Sequence, residues 1–243
     1  MIKFIIRRNN EADYNNYIGF SLKKLPLVQT CDIYPDNKDR EKGYPAIWNR
    51  GIEAFLTNKI SDEDIICLVH EDVSILDPNF AQKLEMSFKL KPEIGVFGIA
   101  GSTILPKSLK WYEENHSQIR GQWLQNYNND SILMSKENVG FFDDVVVLHK
   151  FFLAIRVGLL KEGLRFDECF TFDLYNVDFC LQVLERGYKL GVVDIFLKHN
   201  SDREGLTGKD FLISKYKEKG YNFPLSLDQF TNLNEIQGVD ISL

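Results

Sequence analysis

Across the first hundred residues of this 243-residue chain, segments of strand length, among them the continuous apolar run 65–69, alternate with segments whose apolar residues recur at helical spacing. Residues 3–7 are followed by Tyr14, Ile18, Leu22 and Leu25, and residues 28–34 by Trp48, Ile52, Phe55 and Leu56. Residues 65–69 are followed by Phe80, Leu84 and Phe88, and residues 94–99 close the series. This order predicts an α/β fold, a central and mostly parallel mixed sheet flanked by helices. Strands covered by helices on both faces need no polar alternation, which accounts for their continuous apolar character.

The rhythm breaks at residues 101–138, a polar and aromatic stretch containing Trp111, Tyr112, His116 and Trp123 with no clean period. An irregular insertion or lid is expected there, because long aperiodic segments inside compact domains tend to be functional loops. Regular structure returns with a strand over 145–155, interrupted by His149 and Lys150. A helix follows with Val177, Cys180, Leu181 and Leu184 in register and Gly187 just past its end as a C-cap. A further strand spans 190–197. Thr207 and Asp210 then fit a capping box opening a last helix with Phe211, Leu212 and Tyr216. With no repeat or linker, one domain over 1–243 is expected, with 207–243 as a helical tail.

The formal charge of −6 lacks the basic excess that a sequence-independent grip on nucleic acid needs, so no nucleic-acid partner is expected. No run approaches the roughly 18 apolar residues that span a bilayer, and the first residues do not form a signal peptide. The expected location is cytoplasmic, with peripheral contact at the inner membrane face left open by the lysines at 209, 215, 217 and 219, although a solvated face explains those as well. The four cysteines have no C-x-x-C spacing, which argues against a disulfide framework or zinc cluster.

Three places can carry chemistry. The apolar run from Ile65 stops abruptly at His70, Glu71 and Asp72, putting two carboxylates at the strand edge where α/β sheets bind ligands. Carboxylates bind hard cations such as Mg²⁺ or Mn²⁺, which neutralise phosphate, but a strand surfacing into solvent often ends in acids too. Asp173 and Asp178 bracket the start of the 177–184 helix, as a general base or as complements to the helix dipole. His199 directly follows an apolar strand and becomes a ligand only if the fold brings it to Asp72, since imidazole and carboxylate together suit Mn²⁺.

Taken in order, Ala46-Ile47-Trp48-Asn49-Arg50-Gly51, Leu68-Val69-His70-Glu71-Asp72-Val73, Phe152-Leu153-Ala154-Ile155-Arg156, Phe166-Asp167-Glu168-Cys169-Phe170, Tyr175-Asn176-Val177-Asp178-Phe179-Cys180 and Lys198-His199-Asn200-Ser201 resemble the GT-A glycosyltransferases, in particular the family-2-like group related to StrF proteins. The resemblance spans about residues 2–201. It implies a GT-A-like fold and an inverting, metal-dependent transfer from a UDP-, GDP- or dTDP-sugar to a glycan or lipid-linked acceptor, in polysaccharide or glycoconjugate assembly.

The resemblance also implies site residues. Asp72 and His199 match the positions that hold Mn²⁺ or Mg²⁺. Arg7, Asn9, Asn10, Asn49 and Arg50 fall where relatives hold the nucleotide, Asp36 where a carboxylate meets the base, and Glu71 within the same donor region. Trp123, His149 and Lys150 are expected to face the acceptor. This chain carries His149-Lys150 where relatives commonly have Asp-Gly. It also has Asn176 where they have the Asp expected to be the base, so that role passes to Asp178 or Asp173. The rival readings are a catalytically inactive nucleotide- or glycan-binding protein and a nucleotidyltransferase.

Overall fold

A computed structural model describes residues 1–25, 29–33, 43–57, 59–113, 116–127, 130–134, 140–200 and 205–230. The core is a seven-stranded sheet in the order β10-β13-β5-β12-β3-β1-β2. Its strands are β1 (Ile2–Arg7), β2 (Gln29–Ile33), β3 (Ile65–His70), β5 (Ile94–Gly98), β10 (Phe142–Val145), β12 (Phe152–Arg156) and β13 (Lys189–Val192). β1 lies parallel to both β2 and β3, β13 lies parallel to β5, and β12 runs antiparallel between β3 and β5. Every residue of β3 and β5 is buried, as their unbroken apolar runs predict.

The helices cover this sheet with the faces read from sequence. On α3 (Tyr44–Leu56), Trp48, Ile52 and Phe55 are buried, and Gly51 lets the helix approach β1: a Cβ there would lie 2.5 Å from Ile5. On α4 (Phe80–Leu90), Phe80, Leu84 and Phe88 form the buried stripe, with the Phe80 ring 5.8 Å from Phe4 and 5.7 Å from Phe152. Each such buried ring contributes about 1.5–3 kcal/mol. α6 (Tyr175–Glu185) buries Val177, Cys180, Leu181 and Leu184, and Gly187 past its end has φ 82°, the left-handed conformation of a C-cap. The expected first helix is broken at Tyr17 into α1 (Glu11–Asn16) and α2 (Ile18–Leu22). A single turn, α5 (Val157–Lys161), follows β12.

The described residues of 101–134 hold more regular structure than their lack of period suggests. β6 (Ala100–Ser102), β7 (Ile119–Gly121) and β11 (Val147–Leu148) form one small sheet. β8 (Leu124–Tyr127) and β9 (Asp130–Leu133) form another with β4 (Val73–Ile75) and β14 (Leu197–His199). Strands of two to four residues are too short to show alternation, which is why the segment reads as a loop. The strands expected over 145–155 and 190–197 each split for the same reason, one half serving the main sheet and the other a small one.

The helix expected after residue 207, α7 (Lys209–Glu218), buries Leu212 and Tyr216, and Leu225 bridges back to Leu105. Gly208 caps α7 with φ 88° and without a side-chain hydrogen bond, so the expected Thr207 capping box does not form. Two lysines here are internal ties: Lys215 of α7 pairs with Asp167 and Asp178, and Lys219 at its C-cap with Glu185. Cys67 and Cys180 are buried free thiols. Among the described residues no helix is long and apolar enough to cross a membrane.

Candidate active site and metal centre

Strand direction explains where the polar residues gather. β1 and β3 are parallel with Arg7 opposite His70, so both strands end at one edge of the sheet. β12 runs the other way beside β3, and the turn before it arrives at the same edge, with the His70 amide donating to the Phe151 carbonyl at 3.1 Å. The start of α6 also opens there. The result is a cleft of about 800 Å³ lined by Arg7, Asn9, Asn10, Tyr44, His70, Glu71, Asp72, Lys150, Phe172, Asp173 and His199.

The two distant tips meet. β14 pairs antiparallel with β4, His199 opposite Val73, and Asn200 donates to the Asp72 carbonyl through its backbone amide at 3.0 Å and its Nδ2 at 2.8 Å. His199 Nε2 then lies 3.6 Å from Asp72 Oδ1. Both atoms are buried and neither has a hydrogen-bond partner. His70 completes a cluster in which one ligand atom from each of His70, Asp72 and His199 lies within 4.8 Å of the others. Orphaned, buried polar atoms turned toward one another fit a cation, and a donor set of two imidazoles and one carboxylate suits Mn²⁺ better than the oxygen-seeking Mg²⁺.

Burial sets the protonation states. Desolvation pushes the Asp72 carboxyl up to about 6, helped by the neighbouring Glu71 charge. It holds both His70 and His199 well below the ordinary histidine value, and the nearby Lys150 charge adds to the effect on each. Near neutral pH the two imidazoles are therefore neutral and the carboxylate is ionised, the forms in which each ligates a metal.

An aromatic wall supports the cluster. Tyr44 stacks on His70 at 5.0 Å and on Tyr175 at 5.5 Å, while the Tyr175 hydroxyl lies 3.1 Å from His70 Nε2. Arg7 lies over the Tyr44 ring at 4.5 Å and donates to its hydroxyl at 2.9 Å. Tyr44 itself is fixed by its amide, which donates to the Thr171 carbonyl at 2.8 Å.

The other expected site residues divide. Arg7, Asn9, Asn10 and Glu71 line the cleft, but Glu71 also ties the turn together by accepting from the Asn9 and Asn10 amides, and the Asn10 side chain caps α1. Asn49 does not reach the cleft. Its amide exchanges hydrogen bonds with the Phe166 backbone at 2.9 and 3.0 Å, cross-linking α3 to that loop. Arg50 is exposed on α3 and does not line the cleft. Asp36 lies outside the described residues.

The two carboxylates of α6 also separate. Asp173 faces the cleft, with Lys150 Nζ 3.5 Å from its Oδ1 and the Thr207 amide donating to its Oδ2 at 3.2 Å. Asp178 is 0% exposed and accepts from Lys215 at 2.6 Å, Tyr216 at 3.0 Å and Gln182 at 2.7 Å. Its oxygens hold α7 against α6 on the side away from the cleft. Asn176 is likewise used internally, donating to the Leu148 carbonyl at 2.7 Å.

Of the expected acceptor residues, only Lys150 lines the cleft. Trp123 is 3% exposed, and His149 is packed against Trp111, Trp123 and Phe151 behind His199. Both are large aromatic rings in the core of the small sheets, where apolar burial outweighs exposure to a ligand. Sequence reasoning passed over His70, Tyr44, Tyr175 and Gln125. For His70 a signal existed: on an extended chain residues i and i+2 face one side, which groups it with Asp72 and sets Glu71 apart.

The family described as "Glycosyltransferase like family" matches residues 3–203. No curated protein sequence matches the chain. Among solved structures, the chain is similar to GalNAc-T7 in complex with UDP, GalNAc and Mn²⁺, with a TM-score of 0.57 at 10% identity over 84% of this chain and 44% of that one. It is also similar to residues 1–349 of TarS from S. aureus, with a TM-score of 0.50 at 12% identity over 82% of this chain and 60% of the other. These neighbours share the GT-A fold. The chain spans about half the length of these two structures.

Proposed function

The chain belongs to this glycosyltransferase-like family, and from that premise we propose that it transfers a sugar from a nucleotide-sugar donor to a hydroxyl of a glycan or glycoconjugate acceptor. His70, Asp72 and His199 would hold a divalent cation, and Asp173 would act as the base. The observation that carries the reading is the pair of buried, partnerless atoms, Asp72 Oδ1 and His199 Nε2, facing each other in the cleft. The GalNAc-T7 structure, of the same fold, contains UDP and Mn²⁺.

Held by His70, Asp72 and His199, a cation would supply positive charge for the donor diphosphate and its leaving group. Arg7 and Lys150 add fixed positive charge along the same wall of the cleft. Asp173 takes the proton of the acceptor hydroxyl as that oxygen attacks the anomeric carbon. One carboxylate opposite the leaving group gives a single displacement, hence inversion. Phe172, 45% exposed at the rim and in edge contact with Tyr44, presents an apolar face beside this base. The setting proposed is surface polysaccharide or glycoconjugate assembly on the cytoplasmic side.

The test is release of nucleoside diphosphate from UDP-, GDP- and dTDP-sugars with Mn²⁺ or with EDTA. Release with at least one donor, lost in EDTA, is expected. Nucleotide binding without release from any donor would identify a non-catalytic binding protein, and pyrophosphate release a nucleotidyltransferase.

Proton competition gives a further expectation. Burial raises the Asp72 pKa, and a cation needs the ionised form, so protons and Mn²⁺ compete for it. Mn²⁺ affinity by calorimetry should be flat above about pH 7 and fall by about tenfold per unit once the pH is below about 6. Constant affinity down to pH 5 would exclude Asp72 as a ligand.

Gly205 limits the space around the base. A methyl group there would lie 2.3 Å from Asp173 Oδ2. Gly205→Ala is expected to displace that carboxylate and lower kcat by about 10²-fold, the effect of an ångström-scale misplacement. Because the atom met is the end of a side chain, the melting temperature should stay within a few degrees of wild type.

A further inference from the structure

We infer that Trp123 and Gln125 are positioning residues that fix the ring tautomer of His199 and thereby keep its Nε2 open to a cation. The inference rests on the proposed metal role of His70, Asp72 and His199. The chain of donors and acceptors runs in one direction. Indole Nε1 always carries hydrogen and can only donate. Trp123 Nε1 lies 3.0 Å from Gln125 Oε1, which turns the amide oxygen toward the indole. The same oxygen is 3.2 Å from His199 Nδ1. A carbonyl oxygen can only accept, so Nδ1 carries the proton and Nε2 keeps a bare lone pair.

That lone pair faces Asp72 Oδ1, 3.6 Å away, and both atoms are buried without partners. The opposite tautomer would direct an N–H at Asp72, satisfying both atoms and closing the ligand position. Gln125 holds the ring in the form that leaves them unsatisfied, which is favourable only if a cation fills the gap. The placement follows from the fold. β8 pairs in parallel with β14, setting Gln125 beside His199 in register, and Trp123 enters the core just before β8. Water has no easy access to replace the relay, since Trp123, Gln125 and His199 are all buried.

The experiment uses the full chain. Long-range ¹H–¹⁵N spectra of metal-free protein report which His199 nitrogen is protonated, and calorimetry with MnCl₂ reports affinity. The variants are Gln125→Leu, Gln125→Glu and Trp123→Phe. Wild type and Gln125→Glu, whose carboxylate still accepts from Nδ1, should show the Nδ1–H form and Mn²⁺ affinities within about threefold. Gln125→Leu should move to the Nε2–H form and bind Mn²⁺ about 10–100-fold more weakly, the usual cost of losing such an outer partner. Trp123→Phe keeps the packing but frees the amide to flip, giving a mixture of tautomers and a smaller loss.

The Nε2–H form in wild type would overturn the inference, and that measurement needs no variant to fold. Mn²⁺ binding that is normal in wild type and unchanged in Gln125→Leu would overturn it while leaving the metal reading intact. A wild type that binds no Mn²⁺ would overturn the metal reading and the relay with it.

Discussion

Asp72→Ala is expected to abolish Mn²⁺ binding and to lower nucleotide-sugar turnover by about 10³-fold or more, since several kcal/mol of charge stabilisation leave with the cation. The fold should survive, because the segment is held by its backbone: the Asp72 carbonyl accepts two hydrogen bonds from Asn200. The metal-free variant should even melt at or above the wild-type temperature at pH 7. The folded-state pKa of Asp72, about 6, lies above that of an unfolded aspartate, so the buried charge costs stability once the pH exceeds the unfolded value. Calorimetry, thermal melting and a nucleoside-diphosphate release assay check the three parts. Turnover equal to wild type would reject the metal centre.

Asp173→Asn and Asp178→Asn are expected to fail in opposite ways. The first removes the base and should lower kcat by about 10²–10⁴-fold, with Mn²⁺ binding and melting temperature near those of wild type. The second strips the charge from a fully buried carboxylate bonded to Lys215, Tyr216 and Gln182. Lys215 is partly exposed and keeps Asp167, so loss of this charge-assisted bond costs about 2–3 kcal/mol. For a chain of this length that is a fall in melting temperature on the order of 10 °C, with kcat of the folded fraction little changed. The reverse pattern would exchange the two roles.

The α/β sheet was legible because β3 and β5 are buried on both faces and read as continuous apolar runs, and β1 is interrupted only by Lys3. The Asp72–His199 meeting was legible only through resemblance, since local pattern cannot say that β14 pairs with β4. The same limit hid the division between Asp173 and Asp178. Asp173 lies just before α6 and Asp178 in its first turn, and only the docking of α7 shows that Lys215 claims one of them. Trp123 and His149 misled for a related reason. Trp123 sits in an aperiodic stretch and His149 interrupts an expected strand, which suggests exposed ligand contacts, whereas both flank strands too short to show a period and are buried. Gln125 left no signal at all, because its role comes from register with a strand far along the chain.

That register has a mechanical meaning. The first two members of the His70, Asp72 and His199 cluster and its third are separated by half the polypeptide, so an ion seated among them would act as a clasp between early and late portions of the chain. Loading it would slow amide exchange in β14 and β8 more than in the central strands, whose protection already depends on global unfolding. A shortened chain ending before Leu197 would lack the clasp altogether, whatever remained of its sheet.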